Sequence, residues 1–205
     1  MRVQRFLGLT LERVGTLHET AGDWTRAQEA YTASFDIRRA LATREPTHRD
    51  IQRDLAIAYE KLGKVEQARG DGTEGLVNLR AALAQFEKLA AADPDDANSA
   101  RTVAISQEVL GAALRQAGEP SEAGRRLTAA LETHARLAVQ DPGNAQARCD
   151  AARVAGALGD LASAARAASD ACTHWRAAVG WLGRAGEGGC AIDAAQLRER
   201  LAGCG

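Results

Sequence analysis

Apolar and small side chains recur along this chain at spacings of three, four and seven, as at Leu7 and Val14 or Leu55 and Leu62. Such spacings gather them on one stripe of a helix. No segment alternates with period two for long enough to argue a strand. The pattern also returns as a block. Laid over one another, residues 3–50, 51–98 and 99–146 share eight identities at a step of 48 (63−15 and 111−63), Arg5/Arg53/Arg101, Glu12/Glu60/Glu108 and Gly15/Gly63/Gly111 among them. Gly22/Gly70/Gly118 and Pro46/Pro94/Pro142 keep the same step. A fixed period in this range marks a repeat array.

Punctuation sets the helix ends. Gly22-Asp23, Gly70-Asp71 and Gly118-Glu119 each follow one amphipathic stretch and precede another, as a C-terminal glycine followed by an acidic start should. Glu45-Pro46, Asp93-Pro94 and Asp141-Pro142 close the second stretch, because the residue before proline is pushed out of the α region. Each unit is therefore expected to be two antiparallel helices of about 20 residues, roughly 30 Å long. The expected fold is all-α, a right-handed α-solenoid of helix hairpins with a ~48-residue period.

After Pro142 the spacing changes. Pro46 to Gly70 and Pro94 to Gly118 are both 24 residues, but Pro142 to the next Gly-Asp pair, Gly159-Asp160, is 17. Taken as the hairpin turn, that pair predicts a shortened fourth unit over 147–182. Its first helix would end near Leu158, and its second would run from Leu161 toward Leu182. The array then covers 1–182, residues 183–189 form a glycine-rich linker, and 190–205 hold a capping helix, about Ile192 to Leu201, with a tail.

Composition narrows function by exclusion. Lys+Arg 26 against Asp+Glu 27 gives a formal charge of −1, no electrostatic footprint for nucleic acid. No apolar run approaches the roughly 18 residues of a membrane-spanning helix, so membrane insertion is not expected. The first residues lack a secretory apolar core, which makes the cytoplasm the expected location. Cys149, Cys172, Cys190 and Cys204 form no CxxC pair, and reduced, buried thiols are expected rather than a metal site or disulfides.

Two strings mimic catalytic motifs. Gly70-Asp71-Gly72-Thr73-Glu74-Gly75 fits GxGxxG, yet a phosphate loop must leave a strand, and this one occupies a hairpin turn. His48-Arg49-Asp50 is similar to a kinase catalytic loop, but Leu55 holds the place of the magnesium-binding Asn and no DFG follows. No enzymatic activity, cofactor or metal is expected.

The pairs Val14-Gly15 and Leu62-Gly63, the turns Gly22-Asp23 and Gly70-Asp71, the small Ala27, Ser34 and Ala82, Tyr31, and the closing Pro46 and Pro94 resemble the tetratricopeptide repeat. The family's unit has about 34 residues, so a period of 48 adds two turns to each helix. More narrowly, the run from Arg53 to Asn98 resembles the long repeat tails that follow the catalytic domain in bacterial serine/threonine protein kinases. The resemblance implies a non-catalytic scaffold for a protein or extended peptide, a docking or regulatory part of a bacterial signalling protein. In the family, first helices line a concave groove. Carried over, the groove positions are Leu9, Glu12, Thr16 and Glu19, then Ile57, Glu60, Lys64 and Gln67, then Ile105, Glu108 and Arg115, with Arg153 from the fourth unit. Arg5/Glu12, Arg53/Glu60 and Arg101/Glu108 would form charged ladders. An apolar end face left open at the first unit makes self-association a further expected route.

Overall fold

In the computed structural model, which describes residues 2–185, 190 and 192–204, the described residues form nine α-helices and no strand. They are α1 (Arg2–Thr20), α2 (Trp24–Arg44), α3 (Arg49–Arg69), α4 (Gly72–Ala91), α5 (Ala97–Gln116), α6 (Pro120–Gln140), α7 (Ala145–Ala164), α8 (Ala168–Ala185) and α9 (Ala194–Ala202). Within each compact unit, consecutive helices pack as antiparallel neighbours. The chain divides into two compact units, Met1–Ser99 and Ala100–Gly205.

One contact recurs in every hairpin. A Cβ placed on Gly15 would lie 2.6 Å from the Tyr31 ring, one on Gly63 2.7 Å from Leu79 Cγ, and one on Gly111 2.9 Å from Leu127 Cγ. Gly159 meets the Trp175 indole in the same way. In each case the second-helix residue lies 16 positions after the glycine, and the glycines are 48 apart. The missing side chain is what lets the two helices close to van der Waals contact. Around these contacts the core is built from Ala and Leu, as at Ala27, Ala82, Ala123 and Ala171.

The turns repeat with equal fidelity. Gly22, Gly70 and Gly118 adopt φ of +74°, +93° and +77°, and the next N–H in each case reaches back to the carbonyl five residues earlier. The fourth turn carries Arg166 at φ +60°, with Ala167 N–H donating to Ala162 O at 2.9 Å. Arg166 stands 48 residues after Gly118. The fourth unit therefore has no deletion. Helix α7 continues through Gly159-Asp160 to Ala164, and the expected turn at that pair does not exist. Gly159 belongs to the Gly15/Gly63/Gly111 series, buried against α8, and Asp160 accepts the Trp175 indole N–H at 3.0 Å. The expected linker is also shorter, since α8 runs to Ala185; residues 186–189 of it lie outside the described residues.

The C-terminal hairpin is closed by α9. Leu197 is buried with Ala152, Ala155, Ala178 and Leu182, and Arg200 binds Asp160 at 2.5 Å. Cys149 on α7 is joined to Cys190, and Cys172 on α8 to Cys204, so both ends of the α9 segment are tied down. The expectation of reduced thiols is overturned. Four cysteines spread over a span of 55 (204−149) gave no spacing signal, because only the tertiary return of α9 brings the pairs together.

Candidate functional site

Charge inside the array is concentrated where first helices lie beside one another. In the N-terminal unit Arg5 Nε donates to Asp54 on α3 at 2.5 Å, and the buried Arg38 of α2 binds both Glu12 and the Asp54 carbonyl, the latter at 3.0 Å. The hydrogen bond from Arg5 to Asp54 raises the guanidinium pKa further. The expected Arg5/Glu12 ladder does not form: Arg5 bonds to Asp54 of the next hairpin, and Glu12 pairs with Arg38 of its own. Tyr31 donates to Glu19, lies 3.1 Å from Thr16 Oγ1, and sits under Lys61, whose ammonium is 3.7 Å from Glu19. Burial first, then the bond to Glu19, pushes the Tyr31 pKa far up.

The C-terminal unit holds a related cluster with one change. Arg101 binds the buried Asp150 at 2.8 Å, and Arg153 binds Glu108 and, at 3.0 Å, Asp150. His134 stands where the N-terminal unit has Arg38, a separation of 96 (134−38). It is buried, its Nδ1 is 3.9 Å from Asp150, and neither ring nitrogen makes a hydrogen bond. Burial lowers its pKa, with Asp150 opposing and Arg101 adding to the fall, so the ring is neutral.

Of the other groove positions, Glu60 is half-buried on α3 with Lys64 at 3.9 Å, and desolvation raises its pKa. Gln67 is turned inward and donates to Gly72 O at 2.8 Å, while Ile57 and Ile105 are partly covered. Leu9, Lys64 and Arg115 remain exposed. Glu12, Glu19, Glu108 and Arg153 thus hold the array's own helices together. Arg38, Asp54, His134 and Asp150 complete these clusters and escape a search at the 48-residue step. Asp54 and Asp150 match only at twice that step (150−54), whereas Arg38 and His134, equally far apart, differ in type and leave no such signal.

An open feature lies on α1. A hollow of about 290 Å³ is lined by Arg2, Arg5, Phe6, Leu9, Arg38 and Asp54, with Phe6 and Leu9 exposed beside three arginines. Arg38 and Arg5 are neutralised by Glu12 and Asp54, and Arg2 is exposed. The hollow offers an apolar floor with a basic edge. Among the described residues no group of three or more His, Cys, Asp or Glu side chains is placed to hold a metal ion. No described helix is long and apolar enough to cross a membrane.

No family model matches this sequence, and no curated protein matches it either. The fold does have neighbours among solved structures. The crystal structure of BtubC (BKLC) from P. vanneervenii superposes with a TM-score of 0.72 over 97% of this chain and 72% of that one, at 19% identity. At that identity the likeness is one of fold.

Proposed function

We propose that this chain is a non-catalytic protein-binding module of the tetratricopeptide type, taking an extended segment of a partner along its first helices. The observation that carries this reading is the hollow on α1, where exposed Phe6 and Leu9 adjoin Arg2 and Arg5. Exposed apolar side chains of this size, grouped and rimmed by charge, suit a partner with an apolar residue followed by a carboxylate. The buried Glu/Arg clusters serve a different end, holding the first helices at a fixed separation so that the hollow keeps its form. A docking role within a longer signalling protein, as in the kinase tails, is part of the same proposal.

The two disulfides favour an oxidising compartment as the working location over the cytoplasm expected from sequence, because cytosolic thiols are kept reduced. Alkylation of thiols in intact source cells before lysis tests this; four modified cysteines would restore the cytoplasm.

The binding reading is tested by fluorescence titration of the intact chain with a peptide carrying Leu or Phe next to Asp or Glu, compared with a scrambled basic peptide. Saturable binding of the acidic peptide, lost in Leu9→Asp with unchanged circular dichroism, is the expected result. Equal affinity for both peptides, or for wild type and variant, overturns it.

A further inference from the structure

One edge of the C-terminal unit departs from its counterpart in the N-terminal unit at four matched positions. In the N-terminal unit this edge is closed and polar. Gln52 of α3 donates to Ala42 O at 3.0 Å and Glu45 O at 3.2 Å, and Gln85 of α4 donates to Gln52 Oε1 at 2.7 Å. At twice the repeat step Arg148 stands for Gln52 and Trp181 for Gln85 (148−52, 181−85). Val139 stands likewise for Thr43 and Gly183 for Glu87, while Lys88 and Arg184 are both cationic (139−43, 183−87, 184−88). Two of these replacements supply apolar surface, and the other two each raise the local charge by one. The result is a hollow of about 380 Å³ lined by Ala138, Val139, Pro142, Arg148, Trp181 and Arg184, with Val139 72% exposed.

The two arginines of this hollow each keep a two-donor edge. Arg148 donates through Nη1 to Arg184 O, a carbonyl at the end of α8, which leaves its Nε–Nη2 edge. Arg184 lies 4.1 Å over the Trp181 ring and donates through Nε to Gly180 O at 3.1 Å, which leaves Nη1 and Nη2. Among the described residues no carboxylate pairs with either arginine. Asp141, beside Pro142, accepts Gly143 N–H at 3.0 Å, and Asp150 is taken by Arg101 and Arg153. A carboxylate offers two oxygens and one charge, enough for one such edge. A phosphate monoester offers three oxygens and nearly two charges, enough for both. We infer that this hollow docks a phosphorylated segment of a protein partner, with its phosphate on Arg148 and Arg184 and an adjacent aliphatic side chain on Val139, Pro142 and Trp181. The site shares no residue with the α1 hollow, and its phosphate chemistry is distinct from the carboxylate read there.

Fluorescence anisotropy of a dye-labelled peptide with phosphoserine beside Leu tests it on the intact chain with both disulfides formed. The phosphopeptide should bind at least about tenfold tighter than the same peptide with Ser or Glu in place of phosphoserine. Arg184→Gln and Val139→Asp, both at exposed positions, should each weaken binding at least about tenfold with the melting temperature unchanged. Leu9→Asp should leave it as it was, whatever becomes of the α1 hollow. Absence of saturable binding overturns the inference, as does equal affinity for the Glu peptide or for either variant. Displacement of the peptide by an equal concentration of inorganic phosphate would make the hollow a free-anion site and overturn docking. Glu187 lies outside the described residues. Binding about tenfold tighter in Glu187→Gln would put the chain's own carboxylate on these arginines, which also overturns the inference.

Discussion

The first and last hairpins are built on one plan and finished differently. Both close helix on helix through a glycine under an aromatic ring, Gly15 under Tyr31 and Gly159 under Trp175. Both fix that ring with a polar partner, Glu19 for the phenol and Asp160 for the indole. The first then leaves its outer stripe in water, while the last is roofed by α9 and stapled by two disulfides. The lesson is that closure of an end is separable from the repeat itself. The hairpin needs its glycine contact; what lies over its outer face is a matter of partner, covalent or otherwise.

The largest test removes the staples. Replacing Cys172 and Cys204 with Ser should cost about 2–4 kcal/mol, because the bridge closes a loop of 32 residues in the unfolded chain. Hydrogen exchange should rise in α7–α9 and leave α1–α4 as they were; a uniform loss of protection would mean that the two ends are not independent. A smaller effect compares the glycines. Gly159→Ala should destabilise by about 1–3 kcal/mol, because Trp175 is held by Asp160 and crowded by α9 and has nowhere to move. Gly15→Ala should cost at least as much, since Tyr31 is buried among Ala27, Leu62 and Val65 and its hydroxyl is bonded to Glu19. A clearly smaller loss at Gly15 in thermal unfolding would break the parallel.

The charged clusters should separate next. Glu12→Gln deprives the buried Arg38 of its carboxylate and should cost about 1–3 kcal/mol by chemical denaturation. Glu60→Gln occupies the same register and should fall within about 0.5 kcal/mol of wild type, because burial already disfavours that carboxylate. A large loss at Glu60 would show that the two acids share a role. The smallest effect is a pH slope. Folding lowers the His134 pKa, so above the free value of about 6.5 both states are neutral and nothing changes. As pH falls below that value the unfolded chain takes up a proton that the folded one resists, and stability is lost. His134→Phe, which copies Phe86 of the preceding unit, should flatten the denaturation midpoint between pH 7 and 5.5. Retention of the slope would show that a group other than His134 carries it.

Much of the fold is legible in the sequence because glycine and proline recur where backbone geometry demands them. The fourth hairpin misleads for the same reason. A glycine can serve a close approach or a left-handed turn, and residue identity does not say which. Gly159-Asp160 copies the wording of Gly22-Asp23 while doing the work of Gly15-Thr16, and the true turn is hidden by Arg166, a residue that rarely takes φ of +60°. The candidate site was legible only in part. First-helix positions follow from the register, but their partners Arg38, Asp54, His134 and Asp150 sit at twice the period. The cysteine pairing left no local trace at all.

The crossed order of the two bridges, Cys149 with Cys190 and Cys172 with Cys204, sets a timetable for synthesis. Cys149 and Cys172 emerge first, and the 23-residue loop between them (172−149) closes more readily than either native one. Neither native partner exists until the chain reaches Cys190, and the second bridge must wait for residue 204. Four cysteines allow three connectivities, so a chain oxidised too early is trapped in a wrong one and needs a reshuffling catalyst to escape. The N-terminal hairpins carry no such delay. The end of the molecule that is most firmly locked when finished is the end most dependent on the cell's disulfide machinery while it is being made.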